Sequence, residues 1–211
     1  MQLKVKNSYK NNRLEYEEIV FSHLSKTAEI KSRMVDCCMK SILMAADTIS
    51  NTLRLNGKVL LCGNGGSAAD CQHMAGELVN WLNKDFQRPG LAAIAMTTDT
   101  SVMSAIANDS GFDSVFERQV EALGRTGDVL IGISTSGNSG NVIRAVQAAQ
   151  KIGMKAIALT GEGGKLPQLA NVVVSVPSQN TQYIQEAHLA VEHILCSLVE
   201  QQLFADTGGD L

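Results

Sequence analysis

Asp128-Val129-Leu130-Ile131-Gly132-Ile133 leads straight into Ser134-Thr135-Ser136-Gly137-Asn138-Ser139, and a helical pattern begins near Asn141. The first six residues form an almost wholly apolar run of strand length. The next six are small, and all but Gly137 carry a hydroxyl or an amide. A strand that hands such a loop to a helix builds an anion cradle: the backbone approaches closely, and the helix aims its free N–H groups and positive dipole end at the ligand. An ordinary helix cap needs one polar side chain. Five in six positions exceed that need and point to phosphate.

Working outward, a second loop of the same design follows Lys58-Val59-Leu60-Leu61-Cys62. Gly63-Asn64-Gly65-Gly66-Ser67 precedes the helical Ala68-Ala69-Asp70, and its glycines admit close ligand approach. The spacing after Gly65 does not fit a dinucleotide fingerprint, and no Gly-Lys-Ser/Thr of a P-loop occurs. Taken alone, the segment is also what a tight strand-to-helix turn looks like. Two such loops in one chain favour a phosphate ligand.

The pattern around these loops alternates. Residues 1–55 carry helical periodicity, with an apolar face of Met34, Cys38, Ile42, Met44, Ala45, Ile49 and Leu53 and a stop at Asn56-Gly57. Strands are expected at 58–62, 91–97, 128–133, 154–160 and 171–176. Helices are expected at 67–83, about 100–108, 112–123, 140–152 and 181–204. Short, continuous apolar strands belong in a parallel sheet covered on both faces. The fold class is therefore α/β: a doubly wound, five-stranded parallel sheet sandwiched by helices, with an N-terminal helical extension. One domain is expected, with N-terminal helices over 1–55, an α/β core over 56–204 and a loose tail over 205–211. In such sheets ligands sit beyond the carboxyl ends of the strands, where both polar loops fall.

Composition narrows the function classes. The 211 residues are 45% hydrophobic with a net charge of −3, enough for a substantial core and without a basic stripe for nucleic acid. Met1–Lys6 lacks the apolar run of a signal peptide, and no stretch of about 18 apolar residues exists for a membrane span. A cytoplasmic protein is expected. Five cysteines, Cys37, Cys38, Cys62, Cys71 and Cys196, show no C-x-x-C spacing, so buried free thiols are expected rather than disulfides or thiolate zinc.

Gly63-Asn64-Gly65-Gly66-Ser67, His73-Met74-Ala75-Gly76-Glu77, Asn108-Asp109, Gly132 to Ser139 and Ile184-Gln185-Glu186-Ala187-His188 occur here in order. Over residues 15 to 204 the chain resembles the bacterial phosphoheptose isomerases of the sugar isomerase (SIS) fold. That resemblance implies an aldose–ketose isomerase acting on sedoheptulose 7-phosphate, in the first step towards nucleotide-activated heptose. It also implies a homotetramer with sites between subunits, and one zinc per subunit on His73, Glu77, Gln185 and His193. Glu77 and His193 fall on the catalytic positions. Asn64, Gly65, Gly66, Ser67, Glu77, Asn108, Asp109, Ser134, Thr135, Ser136, Ser139 and Gln185 fall on substrate-binding ones.

The residues themselves leave alternatives open. His73 and Glu77, spaced i, i+4, share a helix face, yet such pairs also decorate solvated surfaces. On a helical wheel Gln185 and His193 lie about 80° apart, whereas Gln185, His188 and Glu192 form a tighter stripe. Spacing favours His188, the resemblance favours His193, and His188 then reads as a supporting or packing histidine. Isomerisation needs a base to carry a proton between two carbons and an acid to serve two oxygens, roles suited to Glu77 and His193. A lone pair given to zinc is unavailable to a proton, so base and ligand roles compete.

Where the family commonly has arginine, Trp81 stands four residues after Glu77. Where it commonly has Asp-Arg before Ile184, Gln182 and Tyr183 stand. A related sugar phosphate is thus an alternative substrate. A non-catalytic SIS-fold regulator that binds the replication initiator protein is the rival class, opposed by the presence of Glu77 and His193. A sugar-phosphate sensor would be expected to carry a DNA-binding domain, and residues 1–55 show no basic helix-turn-helix.

Overall fold

The computed structural model describes residues 5–205, with the side chains of 5–12 left aside. Five parallel strands, β1 (Val59–Gly63), β2 (Ala93–Ala95), β3 (Val129–Ser134), β4 (Lys155–Thr160) and β5 (Val172–Ser175), form one sheet in the order β2-β1-β3-β4-β5. The helices are α1 (Val5–Arg54), α2 (Gly66–Val79), α3 (Thr100–Ser110), α4 (Glu117–Leu123), α5 (Gly140–Lys151) and α6 (Thr181–Phe204).

Every residue of β1 and β3 is buried, as continuous apolar runs demand when both faces are covered. Alternation along the strands sorts two cores. Val59, Leu61, Val129, Ile131, Ile133, Ile157 and Leu159 face α1, α2 and α6. Leu60, Cys62, Leu130, Ala156 and Ala158 face the layer built from α4 and α5. Gly132 belongs to that second face, and a Cβ there would stand 2.9 Å from Val142 Cγ1, so glycine lets α5 lie close on the sheet.

Several expectations shift. The N-terminal layer is one 50-residue helix rather than several. Its apolar face is buried from Ile30 through Met34, Cys38, Ile42, Ala45 and Ile49, but Met44 is exposed. Met44 sits one residue off the i, i+3, i+4 series and so points about 100° away. The helix stops at Asn56, whose φ is 60°. There Asn56 N–H donates to Leu53 O and Gly57 N–H to Thr52 O, a Schellman closure in which asparagine takes the left-handed position.

α2 ends at Val79, not residue 83, and β2 keeps three of the seven residues expected for it. The segment expected as a helix over 112–123 divides into a 3₁₀ turn, Phe112–Ser114, and α4. Of the cysteines, Cys37 is exposed and the other four are buried free thiols. The tail expected over 205–211 lies outside the described residues from 206 onward.

Candidate active site

Strand order reverses between β1 and β3: from β1 the chain moves out to β2, and from β3 it moves the other way to β4 and β5. A crevice opens at such a switch point, beyond the carboxyl ends of the two strands. Both polar loops grow from those two strands, the first from Gly63 and the second from Ser134. They are tied together. Asn64 Nδ2 donates to Asn141 Oδ1 at 2.9 Å, and Asn141 Nδ2 returns a bond to Asn64 Oδ1 at 2.8 Å. Asn141 Oδ1 also accepts from Val142 N–H in the first turn of α5. In the sequence Asn141 marks only where the helical pattern begins, because its partner lies 77 residues away.

In the second loop, Ser134 is buried and its hydroxyl meets the Ser139 hydroxyl at 2.9 Å. Ser139 is the N-cap of α5 without a side-chain cap bond. Ser136 is exposed, its Oγ accepting from Asn138 N–H, and half-buried Thr135 accepts through its carbonyl from Gly161 N–H at 3.1 Å. Gly137, at φ 65°, accepts from Lys165 and Leu166 N–H, and a Cβ there would stand 2.7 Å from Gly163 O. The loop after β4 thus clamps the loop after β3 in an open, hydroxyl-lined turn.

The first loop delivers the chain to α2. Gly65, at φ 56°, is the N-cap, and Ser67 is buried. α2 and α6 pack in parallel with a nearly constant register: Asp70 meets Gln185, His73 meets His193, and Leu82 N–H reaches Glu200. His73 Nε2 and His193 Nε2 lie 2.8 Å apart, with rings edge-on at 77°. Two ring nitrogens from neighbouring helices are thus brought to one point. The Glu77 carboxylate stands 3.9 Å from the other nitrogen of His73. Gln185 turns its amide to Asp70 Oδ1 at 3.4 Å.

Below this exposed edge the interface is buried. His188 lies in the core with Nε2 on the Thr160 carbonyl at 3.1 Å, and burial holds its pKa down to about 4. Glu192 is fully buried with neither carboxyl oxygen hydrogen-bonded among the described residues, and burial, with Asp70 nearby, raises it to about 8. His188 thus lies in the core rather than at the exposed edge, and its Nδ1 has no hydrogen-bond partner among the described residues. The tight Gln185–His188–Glu192 stripe divides between the site edge and the core.

Two expected substrate residues stay apart. Asn108 and Asp109 are exposed on α3 and bond to each other at 2.8 Å rather than to either loop. For a metal, the donor types suit zinc, and two imidazole nitrogens face one another. Among the described residues no three of His, Cys, Asp and Glu converge closely enough to hold an ion. The fit thus extends to two imidazoles, with Glu77 one turn further along α2.

The family model described as SIS domain matches residues 22–161. The phosphoheptose isomerase of Aquifex aeolicus is 51% identical over 179 residues, covering 84% of this chain and 93% of its own. The solved phosphoheptose isomerase of Neisseria gonorrhoeae has a TM-score of 0.83 at 45% identity, over 88% of this chain and 99% of the other. That of Francisella tularensis has 0.84 at 37% identity, over 88% and 98%.

Proposed function

The chain belongs to the phosphoheptose isomerases of the SIS-domain family, and we propose that Glu77 and His193 move the protons as it interconverts sedoheptulose 7-phosphate and D-glycero-D-manno-heptose 7-phosphate. The observation that carries this assignment of roles is the meeting of His73 and His193 across α2 and α6, with Glu77 on the same face of α2.

In the ketose the carbonyl is at C2. Glu77 takes a proton from C1, the C1=C2 bond of a cis-enediol forms, and O2 gains a proton. Return of a proton to C2 and loss of the proton on O1 leave the aldehyde at C1. His193 serves the two oxygens. Ser134, Thr135, Ser136 and Ser139, with the N-terminus of α5, hold the phosphate and so fix the distance to the reacting carbons. Asn64, Gly65, Gly66 and Ser67 form the opposite wall, and Asn108 and Asp109 belong to the substrate side only if an assembly brings α3 near a site.

A zinc ion held by His73 and His193, with Glu77 and Gln185 completing the set, would supply Lewis-acid polarisation of the carbonyl. The His73–His193 contact is exposed at the surface of the single chain, which supports sites completed by neighbouring subunits of a homotetramer. Among the described residues no helix is long and apolar enough to cross a membrane, and a cytoplasmic location remains part of the proposal.

Purified protein incubated with sedoheptulose 7-phosphate should form aldose, and Glu77→Gln should cut kcat by about 10²-fold or more while leaving binding largely intact. His73→Ala with metal content measured separates base from ligand: a variant that loses metal and activity together, as Glu77→Gln then also would, makes Glu77 chiefly a ligand. Wild-type protein inactive on every seven-carbon ketose phosphate, with or without added zinc, removes the assignment.

A further inference from the structure

Asp70 is buried in the first turns of α2, and its only hydrogen-bond partner among the described residues is Gln185. Its second oxygen, Oδ2, has none, and among the described residues the buried carboxyl of Glu192, which feels the charge of Asp70, has none either. A buried carboxyl with one long hydrogen bond costs stability, so packing gives no reason for it to be there. Its reach is specific, however. The Gln185 amide nitrogen donates to Oδ1, which leaves Oε1 on the other side of the carboxamide. Gly66 completes the arrangement from the other side: a Cβ built there would overlap the Gln185 carboxamide, so the amide occupies space that only glycine leaves.

We propose that Asp70 is a positioning residue, holding the Gln185 NH₂ against α2 so that Gln185 Oε1 is presented to the site as a lone-pair donor, in a slot that Gly66 keeps open. Free to flip, the amide would offer the site a donor half the time, and neither a metal ion nor a substrate hydroxyl proton could rely on it. With Asp70 in place one face is fixed. The inference rests on the proposed site, since it gives Gln185 a partner beyond the protein. It adds a residue that neither reacts nor touches substrate.

A double-mutant cycle tests it, crossing Asp70→Ala with Gln185→Ala. The readouts are kcat and KM for sedoheptulose 7-phosphate, and Zn²⁺ affinity by chelator competition. Asp70→Ala should weaken one readout by about tenfold or more in the wild-type background, the scale of lost orienting partners. In the Gln185→Ala background it should cost less than about twofold, because coupled sites are not additive. A loss in KM alone assigns Oε1 to substrate, and a loss in Zn²⁺ affinity assigns it to metal. Asp70→Asn, which keeps an acceptor oxygen, should recover most of either.

Equal cost in both backgrounds makes Asp70 merely structural and overturns the proposal, as does no cost at all. If Asp70→Ala does not fold, Gly66→Ala replaces it, because its methyl must push the amide aside while leaving Asp70 intact. No loss in that variant also overturns the proposal. Wild-type protein that binds Zn²⁺ but isomerises nothing removes the functional assignment while the Zn²⁺ cycle still decides on Asp70. Wild-type protein that does neither overturns both.

Discussion

Two buried side chains on α6 pull stability in opposite directions with pH. His188, at about 4 rather than 6.5, refuses a proton that the unfolded chain accepts, so it removes stability as pH falls from 6.5 towards 4. Glu192, at about 8 rather than 4.5, keeps a proton that the unfolded chain releases, so its contribution is full at low pH and is lost as pH rises from 4.5 to 8. A full proton of difference is worth about 1.4 kcal/mol per pH unit. Between 4.5 and 6.5 the two slopes oppose each other. From 6.5 to 8 His188 no longer offsets Glu192, and wild-type stability from urea unfolding should decline. Glu192→Gln should be level across that window, and His188→Gln should gain on wild type as pH falls from 6.5 to 4.5. Parallel curves for wild type and Glu192→Gln would sink the assignment. The same two residues show what a helical wheel can and cannot tell. It finds residues that share a face, and Gln185, His188 and Glu192 do. It does not say what that face meets. His188 met the sheet at Thr160 and Glu192 was buried, whereas His193, off the stripe, met His73 because α2 lies beside α6.

At the scale of elements, strands were legible wherever both faces are covered, because β1, β3 and the middle of β4, Ala156 to Leu159, then read as apolar runs. The edge strand β2 was overextended. Its apolar run spans six residues, but β1 is its only ladder partner and pairs with three. The end of α2 was misplaced for another reason. Apolar Trp81 and Leu82 continue the helical pattern, yet buried Arg88 takes the carbonyls of Glu77 and Leu78 and ion-pairs with Glu200 at 3.0 Å. Glu200 in turn accepts from Leu82 N–H. A cation on the last carbonyls suits the negative end of the helix, and the partner that anchors it lies 112 residues on, beyond any local pattern. Arg88→Met should therefore destabilise by about 3–5 kcal/mol in urea unfolding, the cost of stranding a buried carboxylate. Glu200→Gln, still able to accept from both donors, should cost distinctly less. A loss for Arg88→Met under about 1 kcal/mol, the size of a surface pair, would show that the network does not close α2.

α1 is out of proportion to the layer it covers: 50 residues at 1.5 Å each make a rod of about 75 Å. From Ile30 onward one face is buried against the sheet and α6. Before that, Leu14, Ile19, Val20, Phe21 and Leu24 are exposed on the same helix. Further along, on the face turned from the core, exposed Val35, Met39 and Leu43 line an apolar groove with Ile194 of α6. These are two separate apolar surfaces, each larger in hydrophobic side chains than an isolated monomer needs. One self-complementary patch makes a two-fold dimer. Two patches that each pair with their own copy join dimers into a closed tetramer with two-fold axes, the assembly proposed above. Light scattering at micromolar concentration should therefore give about four times the 22.6 kDa chain mass. Phe21→Glu and Met39→Glu should each stop assembly at a dimer through the remaining patch, and the double variant should be a monomer. If either single variant gave monomers directly, only one of the surfaces would hold copies together. A wild-type monomer would end the case for sites completed between chains, leaving the exposed His73–His193 pair to work from one chain alone.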